Sequence, residues 1–297
     1  MNLPARALRT NGPLILLAAL ALGSTGWAQL PPAGNDKSDR SAKTGDFVFS
    51  ILPKSFQKNP TLDMTFNTEF TAYGRLLRKV SPENPLYYVS EDAGFHQLGW
   101  VAGGERPPPL QVLERALNKA LVTNGFLPAS PEHPAGLALI YYWGSHNKPD
   151  EDTARDFPEM ARRFILERAI LVGGKKFASG MNFAMEWGET AADHEGKLEF
   201  LRDQTREELY YVVVSAYDYQ ALARGERRMA WRTTMTVTSA GLAMNETLPV
   251  VVASAAPYFG RDMAEPEIGA RRISREGRVL IGTPTVVPDP VPDAAKK

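Results

Sequence analysis

Two β-type runs joined by a short polar link constrain this chain most. Glu208 to Tyr219 reads ELYYVVVSAYDY, and Arg228 to Ser239 reads RMAWRTTMTVTS. In the second run Met229, Trp231, Thr233, Met235 and Val237 alternate with Ala230, Arg232, Thr234, Thr236 and Thr238, the period of a strand whose faces meet different surroundings. The link, QALARGERR, contains Gly225 and is short enough to join antiparallel neighbours. An antiparallel hairpin is therefore expected, and the fold has to supply a sheet that contains it.

Helical periodicity is interleaved with this β signal. After Pro107, Pro108 and Pro109, the residues Leu110, Leu113, Leu117, Ala120 and Leu121 recur at three- and four-residue steps, and Asn124 and Gly125 supply a C-terminal cap. Thr153 to Val172 predicts a second helix, with Phe157, Met160, Ala161, Phe164 and Ile165 as its apolar stripe and Gly173-Gly174 as its stop. Phe177 to Trp187 reads equally as helix or strand, and Gly196 to Glu208 as a solvated helix. A last helix is expected over Leu248 to Phe259, with Asn245 and Thr247 as capping candidates and Pro249 in its first turn. Strands are expected at Asp46 to Leu52, Tyr87 to Ser90 and Leu137 to Trp143. Together these predict an α+β fold of mixed α/β layers, with a mixed, partly antiparallel sheet packed with helices.

The N-terminus has the pattern of a secretory signal peptide. Arg6 and Arg9 make a positive segment, Leu14 to Leu22 an apolar one, and Gly26, Trp27 and Ala28 a cleavage site, so export with cleavage after Ala28 is expected. The apolar stretch is shorter than the roughly 20 residues a membrane span needs, so no transmembrane span is expected in the mature chain. Residues 29–45, rich in Pro, Gly, Ser and charge, read as a flexible linker, 46–282 as a single α/β domain, and 283–297 as a Pro-rich disordered tail. The chain has no cysteine, which excludes disulfides, thiolate chemistry and N-terminal lipidation at cysteine. Its 34 basic residues balance 34 acidic ones, so no general nucleic-acid binding is expected. A periplasmic or secreted location follows from the leader.

Two segments resemble a bacterial exported domain family of unknown function, many members of which are lipoproteins. One runs from Tyr87 through LERALNKALVTNGF to LALIYYW; the other is YVVVSAYDYQALARGERRMAWRT, with Asp218 at a strand end and Trp231 and Arg232 on the return. The chain departs from the lipoprotein members in having no cysteine, and it inserts extra helical sequence between residues 150 and 206. The resemblance implies an envelope α/β domain and no known reaction.

Candidate chemistry is sparse. Ser145 and His146 are adjacent, but neighbours on a strand point to opposite faces, and no Gly-x-Ser-x-Gly elbow presents the serine. A strand-exit turn is the expectation there, with an envelope hydrolase using Ser145 and His146 as the alternative. Asp193, His194 and Glu195 are better read as solvated than as a metal site, and Gly173 to Lys176 lacks the order of a phosphate loop, so no metal or cofactor is expected. The pairs Tyr87-Tyr88, Tyr141-Tyr142 and Tyr210-Tyr211 each send one ring to either side of the sheet, as core or, on an uncovered face, as a binding platform. Arg271, Arg272, Arg275 and Arg278 read as a solvated face. The candidate binding residues are Tyr142, Trp143, His146, Asp218 and Trp231. The expected role is a non-catalytic envelope module that binds a protein, glycan or lipid or supports assembly.

Overall fold

The computed structural model describes residues 53–100, 106–188 and 196–275. The expected strand at Asp46 to Leu52, the leader, the linker, the tail, Arg278 and the cluster at His194 lie outside the described residues. The strands are β1 (Thr61–Phe70), β2 (Leu86–Gly99), β3 (Phe126–Pro128), β4 (Leu137–Asn147), β5 (Leu209–Asp218), β6 (Met229–Thr238) and β7 (Glu267–Arg272). They lie side by side in the order β3-β2-β4-β5-β6-β1-β7. β2 runs parallel to β3 and β4, and every other pairing is antiparallel. The fold is α+β with a mixed sheet. The expected hairpin is β5 and β6, in register from Leu209↔Thr238 to Ala216↔Trp231.

Helix α1 (Ala72–Leu76) follows β1, and α2 (Leu110–Val122) connects β2 to its parallel neighbours. Leu113, Leu117 and Leu121 of α2 are buried, each stabilising by about 1.5–3 kcal/mol. The helix stops where expected. Asn124 Nδ2 donates to the Ala120 carbonyl at 3.0 Å, and Gly125 takes φ 82°. A Cβ at Gly125 would stand 2.1 Å from the Ser81 oxygen, so both backbone and space require glycine.

Beyond β4 come α3 (Glu151–Asp156) and α4 (Pro158–Trp187), then α5 (Gly196–Arg206), α6 (Tyr219–Ala223) in the β5–β6 link, and α7 (Met244–Ser254). Two expectations are corrected here. The last helix starts earlier than Leu248, so Asn245 and Thr247 lie within it rather than capping it, and Pro249 sits inside it; Ala256–Tyr258 is a separate 3₁₀ turn. The Thr247 hydroxyl instead donates back to the Ala243 carbonyl at 2.7 Å. Arg275 is not simply solvated: its guanidinium holds Glu246 at 3.2 Å and the Gly241 carbonyl at 3.0 Å.

The two faces of the sheet differ. On one, Leu62, Met64 and Phe66 of β1 and Trp231, Met235 and Val237 of β6 join one apolar core with α2 and α7. The other face carries Thr65, Asn67, Thr234, Thr236 and His146, buried beside Val213 and Tyr211. Helices α4 and α5 pack on that side.

Candidate functional site

The adjacent Ser145 and His146 are not at a turn. β4 continues through Asn147 because β2 pairs it on one edge, Leu98 opposite His146, and β5 on the other, Leu209 opposite His146. Both side chains are fully buried and, by strand alternation, on opposite faces. Ser145 Oγ has no hydrogen-bond partner among the described residues. His146 meets α4: its Nε2 lies 3.1 Å from Glu167 Oε2, and its Nδ1 3.5 Å from Arg168 Nη1. Arg168 also donates from Nε to the Thr205 carbonyl at 2.6 Å.

Burial and the Arg168 charge hold the His146 pKa below its ordinary value, outweighing the opposing pull of Glu167. Burial also pushes Arg168 down, to about 10, which leaves it charged at neutral pH. The imidazole is therefore neutral, with Nε2–H donating to Glu167 and Nδ1 accepting from Arg168. This cluster fixes α4 and α5 to the ends of β4 and β5, a positioning task.

The remaining candidates do not converge. Tyr142 is half-buried on the α4 face, edge-on to Tyr211 and His96. Trp143 is buried on the opposite face beside Tyr141, and Trp231 is buried between Phe126 and Phe259. Asp218 pairs with Leu137, at the end of β4 opposite His146. There it accepts the Ala221 N–H at 2.7 Å as the cap of α6 and the Tyr73 hydroxyl. The Tyr73 bond is the main cause of the lowered Asp218 pKa, and burial followed by that bond pushes Tyr73 up to about 12. The aromatic pairs do split between faces, and Tyr88, Tyr141, Tyr210 and Tyr211 are all buried rather than forming an open platform. Among the described residues no three metal-ligating side chains cluster.

A different site is built around the Gly173-Gly174 pair. Gly174 breaks α4 with φ 76° and ψ −174°. Arg162 and Asn182 would be about 30 Å apart along a straight helix, yet Arg162 Nη2 donates to Asn182 Oδ1 at 2.9 Å and to Glu186 at 2.7 Å. The segment is therefore a helical hairpin, its second limb folding back on the first. A Cβ at Gly174 would stand 2.4 Å from Asn67 Nδ2 and 2.6 Å from Glu69 Oε1, so glycine is what lets the turn reach β1.

The second limb, α5, the end of β1 and the 262–266 loop line a partly open cavity of about 800 Å³. Its buried lining includes Met181, Ala184 and Leu201, and Phe183, 63 % exposed, stands at its edge beside the Trp187 ring. The outer wall is tied down by Arg75 to Asp262 at 2.7 Å, Lys197 to Glu265 at 3.5 Å and the Met263 N–H to the Thr68 carbonyl at 3.1 Å. Inside, the Asn67 side chain is 4 % exposed and makes no hydrogen bond among the described residues. A concave volume of this size, lined by apolar side chains together with polar and charged ones, has the form of a small-molecule site. Sequence reading missed it because its walls come from four separated segments; the double glycine, read only as a helix stop, was the one local signal.

No protein-family model and no curated protein matches this chain. Among solved structures it is similar to a PDZ domain protein from Parabacteroides distasonis, at 9 % identity and TM-score 0.36, over 73 % of this chain and 40 % of that one. It is also similar to a PelC dodecamer from Paraburkholderia phytofirmans, at 10 % identity and TM-score 0.28, over 67 % of this chain and 99 % of that one. The chain thus spans well under two thirds of the first of these. Among the described residues no helix is long and apolar enough to cross a membrane.

Proposed function

We propose that this protein is an exported, non-catalytic binding module of the bacterial cell envelope that holds a small apolar ligand in the cavity beneath the second limb of α4. The cavity carries the reading. Its volume of about 800 Å³ falls within the range of ligand sites. Apolar side chains, among them Met181, Ala184 and Leu201, line it beside polar ones, and two ion pairs bridge its outer wall. The leader pattern ending at Ala28 and the resemblance to exported domains support the envelope location.

Two measurements test this together. Fractionated cells should yield a chain beginning at Gln29 outside the cytoplasm, and a cytoplasmic chain retaining Met1 would contradict export. An environment-sensitive apolar dye should bind the purified protein once per chain, and Ala184→Trp, which fills the cavity, should abolish that binding. Equal dye binding by a folded Ala184→Trp protein would remove the cavity as the site.

A further inference from the structure

We infer that the cavity selects a single-chain amphiphile with a carboxylate head, with Lys176 and Asn67 as the head-group ligands. This rests on the cavity reading above and adds the class of ligand.

The polar groups of the cavity are not equivalent. Arg75 and Lys197 are engaged by Asp262 and Glu265, so their charges are largely neutralised where they stand. Glu69 turns Oε1 to the Lys175 N–H at 3.1 Å, at the kink of α4. Lys176 lines the same cavity and has no ion-pair partner among the described residues. Arg202, only 4 % exposed, also lines the cavity and is engaged within the protein.

Asn67 is the stronger pointer. Its side chain sits in the cavity wall, makes no hydrogen bond among the described residues and keeps its amide open to the cavity, so a ligand atom entering there can pair with it. An ammonium and an amide N–H₂ are both donors, and together they suit the two oxygens of a carboxylate. A dianionic phosphate would bring one more negative charge against the Glu69 carboxylate, a poorer match.

The rest of the cavity dictates the other end of the ligand. Met181, Ala184 and Leu201 offer no hydrogen bonds, and Phe183 leaves an apolar edge at the opening. An extended hydrocarbon satisfies that lining, and its burial contributes about 0.8 kcal/mol per methylene. A sugar would leave hydroxyls unpaired there.

Calorimetric titration of the full protein with dodecanoate, dodecanol and dodecyltrimethylammonium, all below micelle formation, tests the assignment. Dodecanoate should bind once per chain and tightest, and Lys176→Gln should weaken it by roughly tenfold to a hundredfold while barely moving dodecanol. Lys176→Arg should restore part of the loss. Lys176 is exposed, so its substitution leaves the fold intact. If the three amphiphiles bind alike and Lys176→Gln changes none of them, the head-group assignment is overturned while the cavity reading stands. If none binds although the apolar dye still does, the ligand class is wrong; if the dye fails too, the cavity reading falls with it.

Discussion

The two faces of one sheet have been put to different uses. On the α2/α7 side Leu62, Met64 and Phe66 of β1 and Trp231, Met235 and Val237 of β6 join one continuous apolar core with both helices. On the α4/α5 side Thr65, Asn67, Thr236 and His146 interrupt the apolar set, a helix folds back on itself, and a cavity of about 800 Å³ remains. The first face is built for cohesion. The second trades part of its packing for polar groups and room, which a domain of this size can tolerate because the other face supplies the core. The contrast teaches that stability and ligand selection are separable in this chain by choosing the face that is altered.

Substitutions should break along that line. The largest effect is expected at Trp231, which packs against Phe126 and Phe259 at ring distances of 5.5 and 6.4 Å. Trp231→Ala should cost about 3–5 kcal/mol in denaturant unfolding. Gly174→Ala should cost less, about 1–3 kcal/mol, because alanine is strained at φ 76° and its Cβ meets Asn67 and Glu69. Unlike Trp231→Ala, it should also weaken dye binding, since those two side chains line the cavity. A Gly174→Ala protein with unchanged dye affinity would show that the kink does not shape the site.

The smallest and most specific effect is in pH. His146 is neutral in the folded protein, its pKa held down by burial and then by Arg168. The unfolded chain takes up a proton near the ordinary value of about 6.5, while the folded one does not until lower pH. The unfolded state therefore binds more protons in that window, and stability is full above pH of about 6.5 and is lost as pH falls toward the folded pKa. The slope due to this residue is at most about 1.4 kcal/mol per pH unit. His146→Gln should flatten that part of the stability curve; a steeper curve in the variant would mean that the imidazole is held charged against Glu167.

Much of the frame was legible in the sequence where local pattern and tertiary surroundings agree. β5 and β6 alternate because their faces differ, and α2 carries both its stripe and its Asn124-Gly125 cap. β1 alternates too, Leu62, Met64 and Phe66 against Asp63, Thr65 and Asn67, but its polar half faces the α4/α5 side and dilutes its apolar character. Ser145 and His146 read as a turn because Gly144, Ser145 and Asn147 are turn formers. They are strand because both edges of β4 are paired to the end, a fact that resides in β2 and β5. The candidate site was the least legible part. Nothing near Gly174 announces that its missing Cβ makes way for Asn67, more than a hundred residues earlier.

The most direct test is the native mass of the protein recovered gently from its own envelope fraction, beside that of Ala184→Trp treated identically. The unaltered protein should carry one small apolar molecule per chain, lost on denaturation, and the filled variant should run as bare chain. Bare chain in both samples, or the same added mass in both, would contradict it.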